Sequence, residues 1–106
     1  MRKESDFQHS LIKNIKARFP GAIVIKNDPH YIQGFPDLTV FWNSRWAVLE
    51  CKRSSKDSHQ PNQDYYVRKM DKMSFAAFIY HENEKEVLNE MERSFKARGA
   101  SRSLSS

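Results

Sequence analysis

Residues 36–52 read PDLTVFWNSRWAVLECK, which is two apolar runs with a polar segment between them. The runs at 37–42 and 46–52 are rich in the β-branched and aromatic residues that favour strands. The Asn-Ser-Arg segment at 43–45 favours a turn. The stretch therefore predicts a β-hairpin, around which the rest of the chain has to be arranged.

The register of this hairpin determines which charged side chains meet. If residues 43–44 form a two-residue turn, Trp42 pairs with Arg45, and counting back along both strands sets Asp37 opposite Glu50. A three-residue turn would instead place Asp37 on the other face of the sheet. The two-residue register is thus a hypothesis that a structure can test.

The rest of the chain alternates between helical and strand patterns. Apolar residues recur at helical spacing in three segments, and two short apolar runs indicate further strands. The helices are predicted at 7–19, 61–73 and 87–95, and the strands at 22–26 and 74–80. The resulting order, α-β-β-β-α-β-α, predicts an α/β fold with a mixed central sheet flanked by helices. Residues 1–96 are predicted to form a single domain, and 97–106, which lack periodicity, a disordered tail.

The composition limits the class of protein and its partners. A chain of 106 residues is long enough for one core and too short for two. Eighteen Lys and Arg against thirteen Asp and Glu give a net charge of +5, which favours a polyanionic partner. The single cysteine excludes an intramolecular disulfide and fits a reducing, cytoplasmic compartment. We expect no membrane partner, because no apolar run suits a signal peptide or membrane span, and no zinc site, because the histidine spacing is wrong.

Three charged residues carry the predicted chemistry. Glu50 and Lys52 share one face of their strand because side chains alternate between faces. In the two-residue register Asp37 joins them with its Cβ roughly 4.5–5.5 Å from that of Glu50, close enough for both carboxylates to ligate one hard cation such as Mg²⁺. A bound metal beside a lysine suits phosphodiester hydrolysis. The alternative is that Asp37 is only a turn residue and that Glu50 and Lys52 form an exposed pair.

Several motifs in a fixed order resemble those of the PD-(D/E)XK nuclease superfamily. They are Gly34-Phe35-Pro36-Asp37, then Glu50-Cys51-Lys52 at the end of an apolar strand, then Gln63 on the following helix. The resemblance covers about residues 4–80. It is strongest to the small virus-type replication-repair (VRR-NUC) nucleases and the archaeal Holliday junction resolvases, a branch that includes phage-encoded members. It implies a restriction-endonuclease-like core and Mg²⁺- or Mn²⁺-dependent cleavage of DNA.

The resemblance also implies roles for five residues. A glutamate on the first helix usually completes the metal site in this family, and Glu4, followed by Phe7 and Gln8, matches that pattern. Asp6 is its rival, and either acid could instead only favour the positive end of the helix dipole. The remaining roles carry over as two metal ligands, a lysine that orients water and a glutamine that supports the site: Asp37 and Glu50, Lys52, and Gln63.

Two groups of polar and basic residues are predicted to contact nucleic acid. A loop that leads to Gly34 mixes hydrogen-bond donors with an aromatic ring, which suits phosphates or bases. The segment after Lys52 and the next helix carry a basic rim, although a solvated loop and helix face are the alternatives. The predicted contacts are Lys26, Asn27, His30, Tyr31 and Gln33 in the loop and Arg53, Lys56, Arg68 and Lys69 in the rim, which also includes His59 and Lys72.

The resemblance implies a DNA endonuclease that selects branched or junction DNA by structure, in the cytoplasm of a bacterial host if the chain is phage-encoded. A symmetric homodimer is expected, because a branched or duplex substrate presents two strands. The alternative is a non-catalytic module with the nuclease fold that binds DNA or inhibits a host protein. An RNA-directed protein is a third reading, and no sequence feature supports recognition of the 2′-OH.

Overall fold

The described part of the chain consists of three α-helices and four strands. The computed structural model describes the backbone of residues 4–105 and the side chains of residues 5–97. The elements are α1 (Glu4–Arg18), β1 (Ile23–Lys26), β2 (Leu38–Trp42), β3 (Arg45–Cys51), α2 (Pro61–Met73), β4 (Ala76–Ile79) and α3 (Glu84–Ser105), with a 3₁₀ helix at His81–Asn83. The predicted order and the α/β class are confirmed. Over these residues, no helix has the length and apolarity needed to cross a membrane.

The four strands form one mixed sheet in the order β1-β2-β3-β4. β1 and β2 pair antiparallel, as do β2 and β3, whereas β3 and β4 run parallel. A parallel pair needs a crossover connection, and α2 provides it here. As an inner strand, β3 is buried on both faces from Ala47 to Cys51.

The hairpin between β2 and β3 has the register predicted for a two-residue turn. Trp42 pairs with Arg45, and the pairing continues to Leu38 opposite Leu49. Asn43 begins the turn with a φ of 58°, in the left-handed region that asparagine tolerates better than most residues. The turn chemistry and the strand pattern therefore agree on one register.

The two faces of the sheet are covered by different helices. On one face, α1 and α3 pack around a core that includes Leu11, Phe95 and Leu49 of β3. On the other face, α2 packs through Val67 on Val48 of β3. Burial of an apolar side chain of this size contributes roughly 1.5–3 kcal/mol, so packing from both sides fixes the position of β3.

The last strand is shorter than the apolar pattern at 74–80 predicts. Ser74 ends α2, because its backbone leaves the helical region with φ −151° and ψ −100°. Its N–H still donates to the carbonyl of Met70 at 2.9 Å, and its hydroxyl donates to the carbonyl of Trp46. β4 therefore covers only Ala76–Ile79.

The last helix is longer than the pattern at 87–95 predicts. It begins at Glu84, and its backbone continues to Ser105, through most of the segment predicted to be a disordered tail. No proline interrupts this stretch, so the backbone can remain helical. The side chains of residues 98–106 lie outside the described part of the chain, and the division into a domain at 1–96 and a tail stays a prediction.

Candidate active site

Three charged side chains lie together where β2 begins and β3 ends. One step beyond the pair formed by Leu38 and Leu49, Asp37 comes opposite Glu50. Because Leu49 faces the core under α1 and α3, its neighbour Glu50 faces the α2 side, and so does Lys52 two residues further on. The predicted juxtaposition of the two carboxylates and the lysine is thus present.

Glu50 and Lys52 are buried rather than exposed. Their exposed fractions are 4 % and 6 %, and the Lys52 ammonium lies 4.0 Å from a Glu50 carboxylate oxygen. Removing such charges from water costs several kcal/mol per ion unless other groups replace the lost hydrogen bonds. The alternative of an exposed strand pair is therefore wrong, and the surrounding residues have to supply partners.

Gln63, in the first turn of α2, supplies a partner to both charges. Its Nε2 donates to Glu50 Oε2 at 3.0 Å, and its Oε1 accepts from Lys52 Nζ at 2.8 Å. The same Oε1 accepts from the backbone N–H of Gln60 at 2.9 Å, which fixes the orientation of the amide. Gln63 is half-buried, so its alternative as an exposed helix residue is also wrong.

The loop between β3 and α2, residues 52–60, supplies a second partner to Lys52. The ammonium donates to the carbonyl of Ser58 at 2.8 Å, in addition to its bond to Gln63. An ammonium has three donors, so these bonds use two of them. Lys52 is thereby held in one orientation at the end of β3.

Asp37 is held by the strand that carries the other two charges. Its Oδ2 accepts from the backbone N–H of Cys51 at 2.8 Å. Burial raises the pKa of Asp37, and this outweighs the bond to Cys51, a hydrogen bond with the Glu50 carboxyl and the charge of Lys52, all of which lower the pKa. Two carboxyl groups that share a hydrogen bond need one proton between them, and a cation could take the place of that proton.

Asp37 and Glu50 provide oxygen ligands of the kind that Mg²⁺ and Mn²⁺ prefer. Mg²⁺ is commonly held by one or two carboxylates, with water and phosphate oxygens completing its shell, so this pair fits the ion. Among the described residues, no group of three or more His, Cys, Asp or Glu side chains could hold a metal. The side chain of Glu4, the predicted third acid, lies outside the described residues, and its rival Asp6 is exposed on α1.

The chain has no match among protein-family models, curated proteins or solved structures. Its resemblance to the PD-(D/E)XK nucleases therefore rests on the order of its motifs and stays a prediction. What the site can do follows from its own geometry.

An open cleft of about 780 Å³ adjoins the cluster, between the loop at residues 29–34 and the start of α2. Gln63 lines this cleft, so the cleft leads to the side chain that binds Glu50 and Lys52. The close approach of its walls depends on Gly34, which has a φ of +88° and whose Cβ, if present, would lie 2.4 Å from Asn62 Cγ. Asn62 also donates to the carbonyl of Gln33 at 3.1 Å, which ties the two walls together.

The predicted nucleic-acid contacts in the loop differ in their positions. His30 and Gln33 line the cleft. Tyr31, which lies between them in the chain, is 84 % exposed. Lys26 is exposed at the end of β1. Asn27 uses its side-chain nitrogen within the fold, because Nδ2 donates to the Pro36 carbonyl and the Thr39 hydroxyl, both at 2.9 Å. Asn27 therefore supports the loop.

The predicted basic rim is only partly beside the site. Arg53 pairs with Asp57, and hydrogen bonds from Arg53 lower the pKa of Asp57 to about 2. Lys56 is exposed in the same loop. Arg68 and Lys69 are exposed on α2, away from the side that packs on the sheet, so the structure does not bring them to the cluster.

Several residues that hold the site together have no distinctive sequence pattern. Ser58 acts through its backbone carbonyl, and Cys51 acts through its N–H. Phe78, on β4, pairs with Glu50, and Asp64 bonds to His59 of the loop. Contacts between a loop and a neighbouring strand leave no periodicity in a single sequence and therefore cannot be predicted from it.

Proposed function

We propose that this chain is a Mg²⁺- or Mn²⁺-dependent DNA endonuclease with a restriction-endonuclease-like core, which hydrolyses phosphodiester bonds. The observation that carries the proposal is the cluster of half-buried Asp37 with buried Glu50 and Lys52, in which Gln63 holds Glu50 and Lys52 at the edge of an open cleft.

Buried charged side chains stabilise a fold less than apolar side chains would, and this suggests that they serve a function. A buried ion pair contributes little or no net stability compared with apolar side chains of the same volume. A carboxyl group with a raised pKa beside a cleft is, in general, a candidate for a catalytic site. The buried charges next to the cleft therefore support a chemical role better than a purely structural one.

Each residue has a defined part in the proposed reaction. Asp37 and Glu50 would hold the metal, and Glu4 would assist them. When bound, the metal would polarise the scissile phosphate and lower the pKa of a bound water. Lys52 has one ammonium donor beyond those used by Ser58 and Gln63, and this donor would orient the attacking water or stabilise negative charge on the phosphate. Gln63 would keep Glu50 and Lys52 in place.

We further propose that the substrate is branched or junction DNA, bound by a homodimer in the cytoplasm. The net charge of +5 supports a polyanionic substrate. The polar cleft lined by His30, Gln33 and Gln63 could admit a DNA strand to the cluster.

Cleavage assays on labelled four-way junction, flap, linear duplex and single-stranded DNA test the function. Each substrate is incubated with Mg²⁺, Mn²⁺ or EDTA and with wild type, Asp37→Asn or Lys52→Met. Lys13→Ala is the matched control, because Lys13 is an exposed lysine on α1 and belongs to no part of the site. We expect cutting that needs the metal, falls by about 100-fold or more in both site variants and persists in the control.

Two results would contradict the proposal. One is a lack of cleavage of every substrate by wild-type protein with either metal. The other is cleavage that survives both site substitutions, which would point to a contaminating nuclease. Metal-independent binding of DNA or of a host protein without any cleavage would favour the non-catalytic module instead.

A further inference from the structure

His59 is held rigidly in the loop that covers Lys52. Its ring stacks on Phe78, with the two centroids 3.9 Å apart and an angle of 20° between the planes. Its Nδ1 lies 3.0 Å from an oxygen of the Asp64 carboxylate, on the first turns of α2. Stacking and the hydrogen bond together fix both the position and the rotation of the ring.

The backbone around His59 is bonded to the catalytic cluster on both sides. The carbonyl of the preceding residue, Ser58, accepts from Lys52, and the N–H of the following residue, Gln60, donates to Gln63. His59 therefore lies at the border of the cluster and cannot move away from it without breaking these bonds.

Phe78 lies between the ring of His59 and the cluster of charged residues in the sheet. It is the β4 partner of Glu50 in the sheet, and its ring centroid lies 5.9 Å from the Lys52 ammonium. The distance from that ammonium to the His59 ring therefore cannot exceed the sum of this distance and the stacking distance. Phe78 therefore lies against both the His59 ring and the Lys52 ammonium.

The hydrogen bond to Asp64 determines what the other edge of the ring can do. The Asp64 carboxylate accepts a hydrogen bond from Nδ1–H, and this leaves Nε2 on the opposite side of the imidazole. About a third of the His59 side chain is exposed, 34 %, so a ligand can reach the ring. The charged group bonded to the ring is the Asp64 carboxylate, and the Lys52 ammonium lies over the Phe78 ring on which His59 stacks. When both ring nitrogens carry a proton, Nδ1 donates to Asp64 and Nε2 donates to a second acceptor, and phosphate oxygens are such acceptors.

We propose that His59 is a phosphate-binding residue of this site, whose imidazolium form donates from Nε2 to a backbone phosphate of the DNA strand bound at the cluster. This inference rests on the proposed function and specifies one of its substrate contacts. Asp64 and Phe78 are positioning residues for the ring. A purely structural His59 would only join the loop to α2 through Nδ1.

A matched pair of substitutions separates these two roles. The amide of an asparagine falls near the position of Nδ1, so His59→Asn can keep the bond to Asp64 while losing Nε2. The longer side chain of His59→Gln puts an amide donor near the position of Nε2 while losing Nδ1. If the contact with phosphate is real, the glutamine variant retains DNA affinity and the asparagine variant loses it.

The experiment measures the binding of fluorescein-labelled four-way junction and duplex DNA by anisotropy, in EDTA so that no metal-dependent cutting occurs. We expect His59→Asn to bind roughly tenfold more weakly, as for one lost charge-assisted hydrogen bond, and His59→Gln to stay within about threefold of wild type. The slope of log Kd against log salt should fall by about one in both variants, because each removes the imidazolium charge. Equal affinities of the two variants, or the reverse order, would overturn the inference.

A second measurement uses unsubstituted protein and does not depend on the folding of a variant. In ¹⁵N-labelled wild type, the Nε2 resonance of His59 should shift when a short single-stranded oligonucleotide is added, and more than the Nδ1 resonance. An unchanged Nε2 resonance at saturation would also overturn the inference. Cleavage by wild type in Mg²⁺ is assayed in parallel, so that failure of the nuclease proposal is seen separately from failure of the His59 contact.

Discussion

Asp37 accepts a hydrogen bond from the backbone N–H of Cys51, with 2.8 Å between the two atoms. Cys51 itself is fully buried on the side of α1 and α3, whereas its neighbours Glu50 and Lys52 face α2. β3 therefore positions all three charged residues. Glu50 belongs to the strand, Lys52 follows it directly, and Asp37 is bonded to its backbone.

The raised pKa of Asp37 makes stability depend on pH in a defined direction. An acid whose pKa is higher in the folded than in the unfolded state stabilises the fold fully below its ordinary pKa of 3.8. This contribution is lost as the pH rises through the raised value. Asp37→Asn, which keeps an oxygen for the N–H of Cys51, should therefore gain stability relative to wild type as the pH rises to neutrality, in the absence of metal.

Urea denaturation in EDTA at a series of pH values measures this difference. Glu90→Gln is the control, because Glu90 is exposed on α3 and far from the cluster in the fold. A stability difference between wild type and Asp37→Asn that does not change with pH would contradict the raised pKa.

A bound divalent cation should stabilise the wild-type fold. A ligand that binds only the folded state adds about 2.7 kcal/mol when its concentration is 100 times its Kd. We expect Mg²⁺ and Mn²⁺ to raise the Tm of wild type in calorimetry, and to have little effect on Asp37→Asn, which lacks a ligand charge. The same rise in both proteins would place the cation somewhere other than this pair.

Gln63 should be important for stability as well as for activity. Gln63→Ala removes one hydrogen bond from Glu50 and one from Lys52, which are both buried. Removing one hydrogen-bond partner from each buried charged group costs about 1–3 kcal/mol, which chemical denaturation can measure. Arg68→Ala, an exposed substitution on the same helix, should cost less than about 0.5 kcal/mol. Equal losses in the two variants would mean that the amide does not support the pair.

Glu50 and Lys52 should be strongly coupled in a double-mutant cycle. Lys52→Met leaves the buried Glu50 carboxylate without its cation and should destabilise the fold by about 3 kcal/mol. Adding Glu50→Gln removes the uncompensated charge, so the double variant should recover much of this loss while remaining inactive. Additive effects of the two substitutions would show that the pair does not interact.

Two glycines with the same backbone angle provide a test of the cleft wall. Gly21 and Gly34 both have a φ of +88°, but a Cβ at Gly21 would meet nothing within 4 Å, whereas one at Gly34 would collide with Asn62. Gly21→Ala should cost about 1 kcal/mol from the backbone alone. Gly34→Ala should cost more and should also weaken cleavage. Equal losses of unfolding free energy in the two variants would show that the loop moves away from Asn62 without cost.

The sequence predicted the hairpin and its consequences well, because local rules determine them. Asn43 and Ser44 suit a two-residue turn, and strand alternation then assigns Glu50 and Lys52 to one face. Pro61 also marked the start of α2 correctly, since proline suits the first helical turn.

Other features could not be predicted, because they depend on contacts between segments distant in sequence. The bond from Lys52 to the carbonyl of Ser58 involves a backbone atom, which every residue possesses. The side-chain bonds of Asn27 to Pro36 and Thr39 look, from sequence, the same as an amide available to a ligand. The end of α2 at Ser74 also involves such a contact, because the Ser74 hydroxyl bonds to the carbonyl of Trp46.

The parallel pairing of β3 with β4 has a consequence for when the site can exist during folding. The hairpin that carries Asp37, Glu50 and Lys52 is local and can form early, but Gln63 reaches it only when the chain has crossed over through α2 and β4 has paired. Pairing between distant strands is slow compared with hairpin formation. A nascent or partly folded chain would therefore already carry the acidic and basic groups without the arrangement that joins them, and catalytic competence would appear only with the completed sheet.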